Sequence, residues 1–215
     1  STPLYSSAAS DVYKRQILIS SMSNQKLKKE NTIYTENKNF FEAPIQKETS
    51  GEKEQIIIGG KEITIEKLYS YEVSGRVVQT YEYKDYYYGD ETYNTIAKKD
   101  VGIVWGNLVQ DDILKNIKFS MNGARFLKYT YRRGDWEKKL GSPIKKLCSN
   151  NHLISNDETI TSLIKQIKKN DYIKISGYLI NAHWDNSYLT TSISRDDEGN
   201  GACEVVYVTD IKWYK

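Results

Sequence analysis

The stretch Ser155 to Ile180, SNDETITSLIKQIKKNDYIKISGYLI, decides the fold. Its first half reads as a helix. Ser155 and Glu158 have the S-x-x-E spacing of a capping box. Ile160, Leu163, Ile164 and Ile167 follow at i, i+3, i+4 and i+7, one apolar stripe. Lys165, Lys168 and Lys169 lie off that stripe or near its C-terminal end, where cations suit the helix dipole. Asn170-Asp171 stops the helix. Tyr172 to Ile180 then alternates apolar and polar residues, the period of a strand with one buried face.

Working outward, the rest of the chain is dominated by strand signals. Gln55-Ile56-Ile57-Ile58 and Lys61-Glu62-Ile63-Thr64-Ile65 flank Gly59-Gly60, a two-residue hairpin signal. Tyr69 to Tyr83 alternates at its start, with Gly75 as a bend. Val101 to Leu108 reads as a buried strand, Asp111 to Ile117 as a short helix, and Ala124 to Tyr131 as a further strand. Pro143 to Cys148 reads as one helical turn, Trp184 to Ser187 as a turn, and Tyr188 to Ile193 as a returning strand; a last strand runs through Trp213. Seven to nine short strands, one main helix and no internal repeat predict a β-rich α+β domain over residues 54–215. The order strand–helix–strand–hairpin–strand, with N-D-x-I-x-I-x-G-x-L after the helix, resembles small antiparallel barrels of the OB type.

Residues 1–53 read differently. Ser1 to Gln16 resembles a translated sequencing-adapter artefact of metagenomic reading frames, carried by Asp11-Val12-Tyr13-Lys14-Arg15-Gln16, and is set aside as non-native. Ile17 to Ser21 then has the character of the end of a truncated signal peptide, or of a short apolar accident in a tail. The remainder of residues 17–53 is polar and predicts a disordered tail or linker, with Phe40 and Phe41 as a local staple. The net charge of +3 is mild, without the strong basic balance that nucleic-acid binding usually leaves. No apolar run reaches the ~20 residues of a membrane helix.

Thr190 to Val208, TTSISRDDEGNGACEVVYV, concentrates the candidate chemistry: a charged, glycine-punctuated loop delivers Cys203 to the start of a β-branched strand. Cys203 with His152 is the candidate catalytic pair, because a thiol nucleophile needs a base or an electropositive setting. Gly199, Asn200 and Gly201 offer backbone N–H groups to an oxyanion. Two other readings of Cys203 stand beside it: a buried core thiol and a disulfide with Cys148. Trp105, Arg125, Asn151, Ser194, Arg195 and Asp197 are the candidate ligand-binding residues, Arg195 either binding an anion bidentately or bracing its own loop against Asp197. Tyr86 to Tyr88 offer an aromatic platform or simply a tyrosine-rich loop. Two histidines and no C-x-x-C pair give no expectation of a metal, and no cofactor motif is present.

Val104-Trp105-Gly106, Arg125-Phe126, Asn151-His152-Leu153-Ile154, Gly177-Tyr178-Leu179 and the S-x-S-R-x-D-x-G-x-G-A-C-E run from Ser192 to Glu204 resemble a family of uncharacterised bacterial proteins of exported or envelope type. Here Glu198 stands where Thr is usual and Ser155 where Pro is usual. The resemblance implies an extracytoplasmic setting and supplies no activity. Three function classes follow. The first is an envelope-associated binding or scaffold domain whose ligand or protein partner is unknown. The second is a cysteine-dependent hydrolase or transferase using Cys203 and His152. The third, and least favoured, is an OB-type binder of single-stranded nucleic acid.

Overall fold

The computed structural model describes residues 6–34, 42–83, 91–121, 125–194 and 202–215. Its frame is one 22-residue strand, Lys61–Glu82, made by the alternating Ile, Val and Tyr of that stretch. In chain order the elements are α1 (Ser6–Glu30), β1 (Thr32–Ile33), β2 (Ile45–Glu48), β3 (Lys53–Ile58), β4 (Lys61–Glu82), α2 (Glu91–Ile96), β5 (Lys99–Val104), α3 (Asp111–Leu114), β6 (Ile117–Met121), β7 (Leu127–Tyr131), β8 (Cys148–Ile154), α4 (Glu158–Gln166), β9 (Tyr172–Trp184), β10 (Ser187–Leu189) and β11 (Glu204–Tyr214).

The fold is α+β and strand-rich, built on a large mixed sheet. Gly59 and Gly60, both at positive φ, turn β3 into β4 as their sequence predicts. One edge of β4 meets β3, β2 and β5 in succession; its other edge meets β9 from Thr64 to Arg76. β5 continues to β8, β8 to β11, and β11 to β9. The β8–β11 and β1–β11 pairings are parallel, so the expectation of an antiparallel sheet is corrected to a mixed one. The crossover through α4 and β9 brings β11 beside β8 in the same direction, as parallel neighbours require.

Side chains alternate between two apolar clusters. Val73, Val101, Ile103, Leu153, Ile175 and Val206 face one side, sealed by Leu163, Ile164 and Ile167 of α4. Ile65, Ile154, Ile180, Ala182 and Val205 face the other, packed against Ile96 and Ala97. The predicted stripe of α4 is therefore its buried face. Its cap is not the predicted one: Asp157 occupies the N-cap and accepts from the Ile160 N–H at 2.9 Å, while Ser155 Oγ accepts from the Asp157 N–H. At the other end Lys99, buried, donates from Nζ to the Lys165 carbonyl at 2.9 Å and so satisfies one of the unpaired last carbonyls; burial lowers its pKa.

The stretch read as a linker, 17–53, departs from that expectation. It holds most of α1 together with β1 and β2, so α4 is not the only substantial helix. Leu27 packs on the core, and Lys28 pairs with Asp171 at 2.9 Å. Asp171 also accepts from Trp213 Nε1 at 2.8 Å, tying α1 to β11. A few anchors in the last turns suffice to hold a polar helix whose earlier residues Ile17, Leu18 and Ile19 stay exposed. Phe40, Phe41 and Tyr86 to Tyr88 lie outside the described residues. Among the described residues no helix is long and apolar enough to cross a membrane.

Candidate functional site

Strand register assembles the site. Asp100 on β5 lies opposite His152 on β8, and His152 lies opposite Val205 on β11. Residues directly opposite share a sheet face, and so do residues two apart on one strand. Asp100, His152 and Cys203, two residues before Val205, are therefore presented side by side, with the histidine on the middle strand. Gly102, opposite Asn150, leaves room above this face: a Cβ there would meet Leu127 at 2.8 Å. The β6–β7 hairpin rests on that space and carries Arg125, at φ +61°, over the cluster.

The contacts form one network around a carboxylate with 0% exposure. Asp100 Oδ1 pairs with His152 Nδ1 at 2.7 Å and accepts from Arg125 at 3.1 Å; Oδ2 accepts from the Tyr83 hydroxyl at 2.8 Å. The Arg125 guanidinium is sandwiched between the rings of Tyr83 and Tyr93, 3.6 and 3.8 Å from their centroids. It also donates to Asn94 Oδ1 at 2.7 Å and to the Ala97 carbonyl at 3.0 Å. Burial pushes both tyrosine hydroxyls well above their ordinary values, and Asp100 adds to the rise while Arg125 opposes it.

His152 is 4% exposed. Burial alone would lower its pKa, but the Asp100 charge and hydrogen bond, followed by hydrogen bonding and charge from the Cys203 sulfur, lift it to about 9. Cys203 is half-buried; Asn150 Nδ2 donates to its Sγ at 3.5 Å, and Sγ lies 3.7 Å from the Arg125 carbonyl. Asn150 Nδ2 also donates to that carbonyl at 2.8 Å, fixing the roof over the thiol.

Of the residues singled out from sequence, the structure brings Cys203, His152 and Arg125 together. Arg125 spends its donors within the protein rather than on an open groove. Trp105 stands at the far end of β5, roughly 15 Å along the strand from Asp100, buried in the core with its Nε1 unpartnered. Asn151 faces the opposite side of β8 from His152, bonded to the Val101 carbonyl and Ser149. Ser194 is exposed, its N–H donating to Ser192 Oγ. Arg195, Asp197 and the Gly199–Gly201 stretch lie outside the described residues. Cys148 and Cys203 form no disulfide, which corrects the disulfide alternative: Asn150 stands against Cys203, and Cys148 lies two residues further along β8. Sequence reasoning missed Asp100, Tyr83, Tyr93, Asn94 and Asn150. The single cue was an aspartate leading into the apolar run Val101 to Val104.

No protein-family model, no curated protein and no solved structure matches the chain.

Proposed function

We propose that this chain is a cysteine-dependent acyl-transfer enzyme, a hydrolase or transferase, with Cys203 as nucleophile, His152 as proton carrier and Asp100 as the group that orients and charges the imidazole. The observation that carries this reading is the grouping of Asp100 on β5, His152 on β8 and Cys203 immediately before β11, with 2.7 Å between Asp100 Oδ1 and His152 Nδ1. That is the arrangement of nucleophile, base and orienting acid that activates a thiol. His152 takes the Cys203 proton, the thiolate attacks an acyl carbon, and a C–S bond forms as the bond to the leaving group breaks. The imidazolium gives its proton to the leaving group. Water, deprotonated by the neutral imidazole, then cleaves the thioester and restores the thiol.

The ring of pairings from β4 through β5, β8, β11 and β9 back to β4, with α4 between β8 and β9, supports reading the domain as a small OB-like barrel. The family resemblance supports an extracytoplasmic setting. A non-enzymatic binding or scaffold domain is the second reading, favoured by one feature: the Arg125 carbonyl and the Asn150 amide both contact the sulfur, as they would in a purely structural cluster.

p-Nitrophenyl acetate separates the two. Intact-mass analysis should show one acetyl group on Cys203, absent in Cys203→Ala and formed at least about a hundredfold more slowly in His152→Ala. Failure to acylate, together with Cys203 alkylation by iodoacetamide no faster than that of Cys148, would leave the binding-domain reading.

A further inference from the structure

Charge along the chain is segregated. Residues 115–146 hold ten lysines and arginines against two carboxylates, Asp135 and Glu137, a net +8, whereas the whole chain is +3 and the remainder therefore −5. In the fold this segment forms one lobe, the β6–β7 hairpin and the turns that follow it, whose inner face packs on the core through Ile117, Phe119, Leu140 and Ile144, while Arg125 is spent on Asp100. Lys118 and Thr130 pair across the hairpin, as do Ser120 and Lys128, and these four side chains form its exposed face. Lys138 and Lys139 are neutralised by Asp135 and Asp112. Lys115, Lys118, Lys128, Arg132 and Arg133 are exposed and form no ion pair among the described residues.

The other face of the hairpin carries an aromatic ladder, which reaches the cations at the open end of the hairpin, where Tyr131 meets Lys115, Lys118 and Arg132. Tyr129 and Tyr131 stack at 6.4 Å with 30° between their planes, and Trp136 meets Tyr131 edge-on at 5.6 Å. Trp136 is pinned by its Nε1 bond to the Arg132 carbonyl at 3.0 Å. Tyr131, 43% exposed, borders a shallow groove together with Lys115, Lys118 and Arg132.

We propose that this lobe is a docking surface for single-stranded nucleic acid, with the cations on the phosphates and Tyr131 stacking a base. The combination of a like-charged track with a stacked ring is what sequence-tolerant single-strand binding needs. A lipid surface fits less well. Amphipathic membrane binders insert several apolar side chains, and Tyr131 is the one exposed large apolar residue among the described residues of this lobe. A duplex would engage the cations and leave the ring unused. Cys203 takes no part in this surface.

Fluorescence anisotropy of the full chain with a labelled oligothymidylate of 20 nucleotides tests it. If five cations engage, log affinity falls with a slope of about −3.5 against log salt, roughly a hundredfold between 50 and 200 mM. Lys118→Glu/Lys128→Glu/Arg132→Glu should abolish binding, and Tyr131→Ala should weaken it about tenfold or more while keeping the salt slope. These side chains are exposed, and an unchanged circular dichroism melt confirms the fold. The proposal is overturned by no binding at 50 mM salt, by binding that survives the triple charge reversal, by equal or tighter binding to a duplex of the same length, or by tighter binding to phosphatidylglycerol vesicles.

Discussion

Asp100 carries two cationic groups, His152 and Arg125, out of solvent. Removing one partner of a buried pair is worse than never having had it. Asp100→Asn is expected to lower unfolding free energy by about 3 kcal/mol in urea titrations, and a near-neutral result would mean that the network is not charged as described. The lifted pKa of His152 carries its own pH signature. Its folded value, about 9, stands above the 6.5 of the unfolded chain, so its stabilising contribution is complete below pH 6.5 and is lost as pH rises through 9. The shift corresponds to about 3 kcal/mol. Stability measured from pH 6 to 10 should fall over that window, and His152→Gln should flatten the profile. Cys203 and His152 were legible in the sequence because few side chains carry such chemistry. Asp100 was not, because its partner is decided by which strand lies beside β5 and in what register.

At the level of elements, α4 was legible to within three residues and its cap was not. Ser, Asn and Asp at positions 155–157 all suit an N-cap, and in the fold Asp157 takes that place. Asp157→Ala should cost about 1 kcal/mol and Ser155→Ala clearly less, read as shifts in thermal midpoint. β8 itself was read only as a lead into the helix. Ser149-Asn150-Asn151-His152 lacks an apolar alternation because both of its faces meet polar partners inside the protein. Gly177 on β9 shows how closely the strands approach: a Cβ there would lie 2.1 Å from the Tyr207 carbonyl oxygen. Gly177→Ala must therefore push β9 from β11, and a loss of about 2 kcal/mol or more is expected in chemical denaturation. A tolerated alanine would show that the two strands do not pair as described.

For the whole molecule, β4 pairs with β2, β3, β5 and β9, so these four strands cannot leave without disturbing it. Unfolding followed by tryptophan fluorescence and by circular dichroism should give one coincident transition. The decisive contacts join distant residues, such as Thr64 with His183, so refolding is expected in milliseconds to seconds rather than microseconds, checked by stopped flow. The sequence by itself determined what depends on near neighbours: the β-rich α+β composition, the Gly59-Gly60 hairpin, the apolar stripe of α4 and the chemical identities of the thiol and imidazole. Period and turn chemistry are local, so they are written in consecutive residues. Only the tertiary structure decided the parallel β8–β11 pairing, the docking of α1, and the meeting of Asp100, His152, Cys203 and Arg125. Those depend on strand order and register, which are set by how side chains from distant segments pack together within each of the two buried clusters.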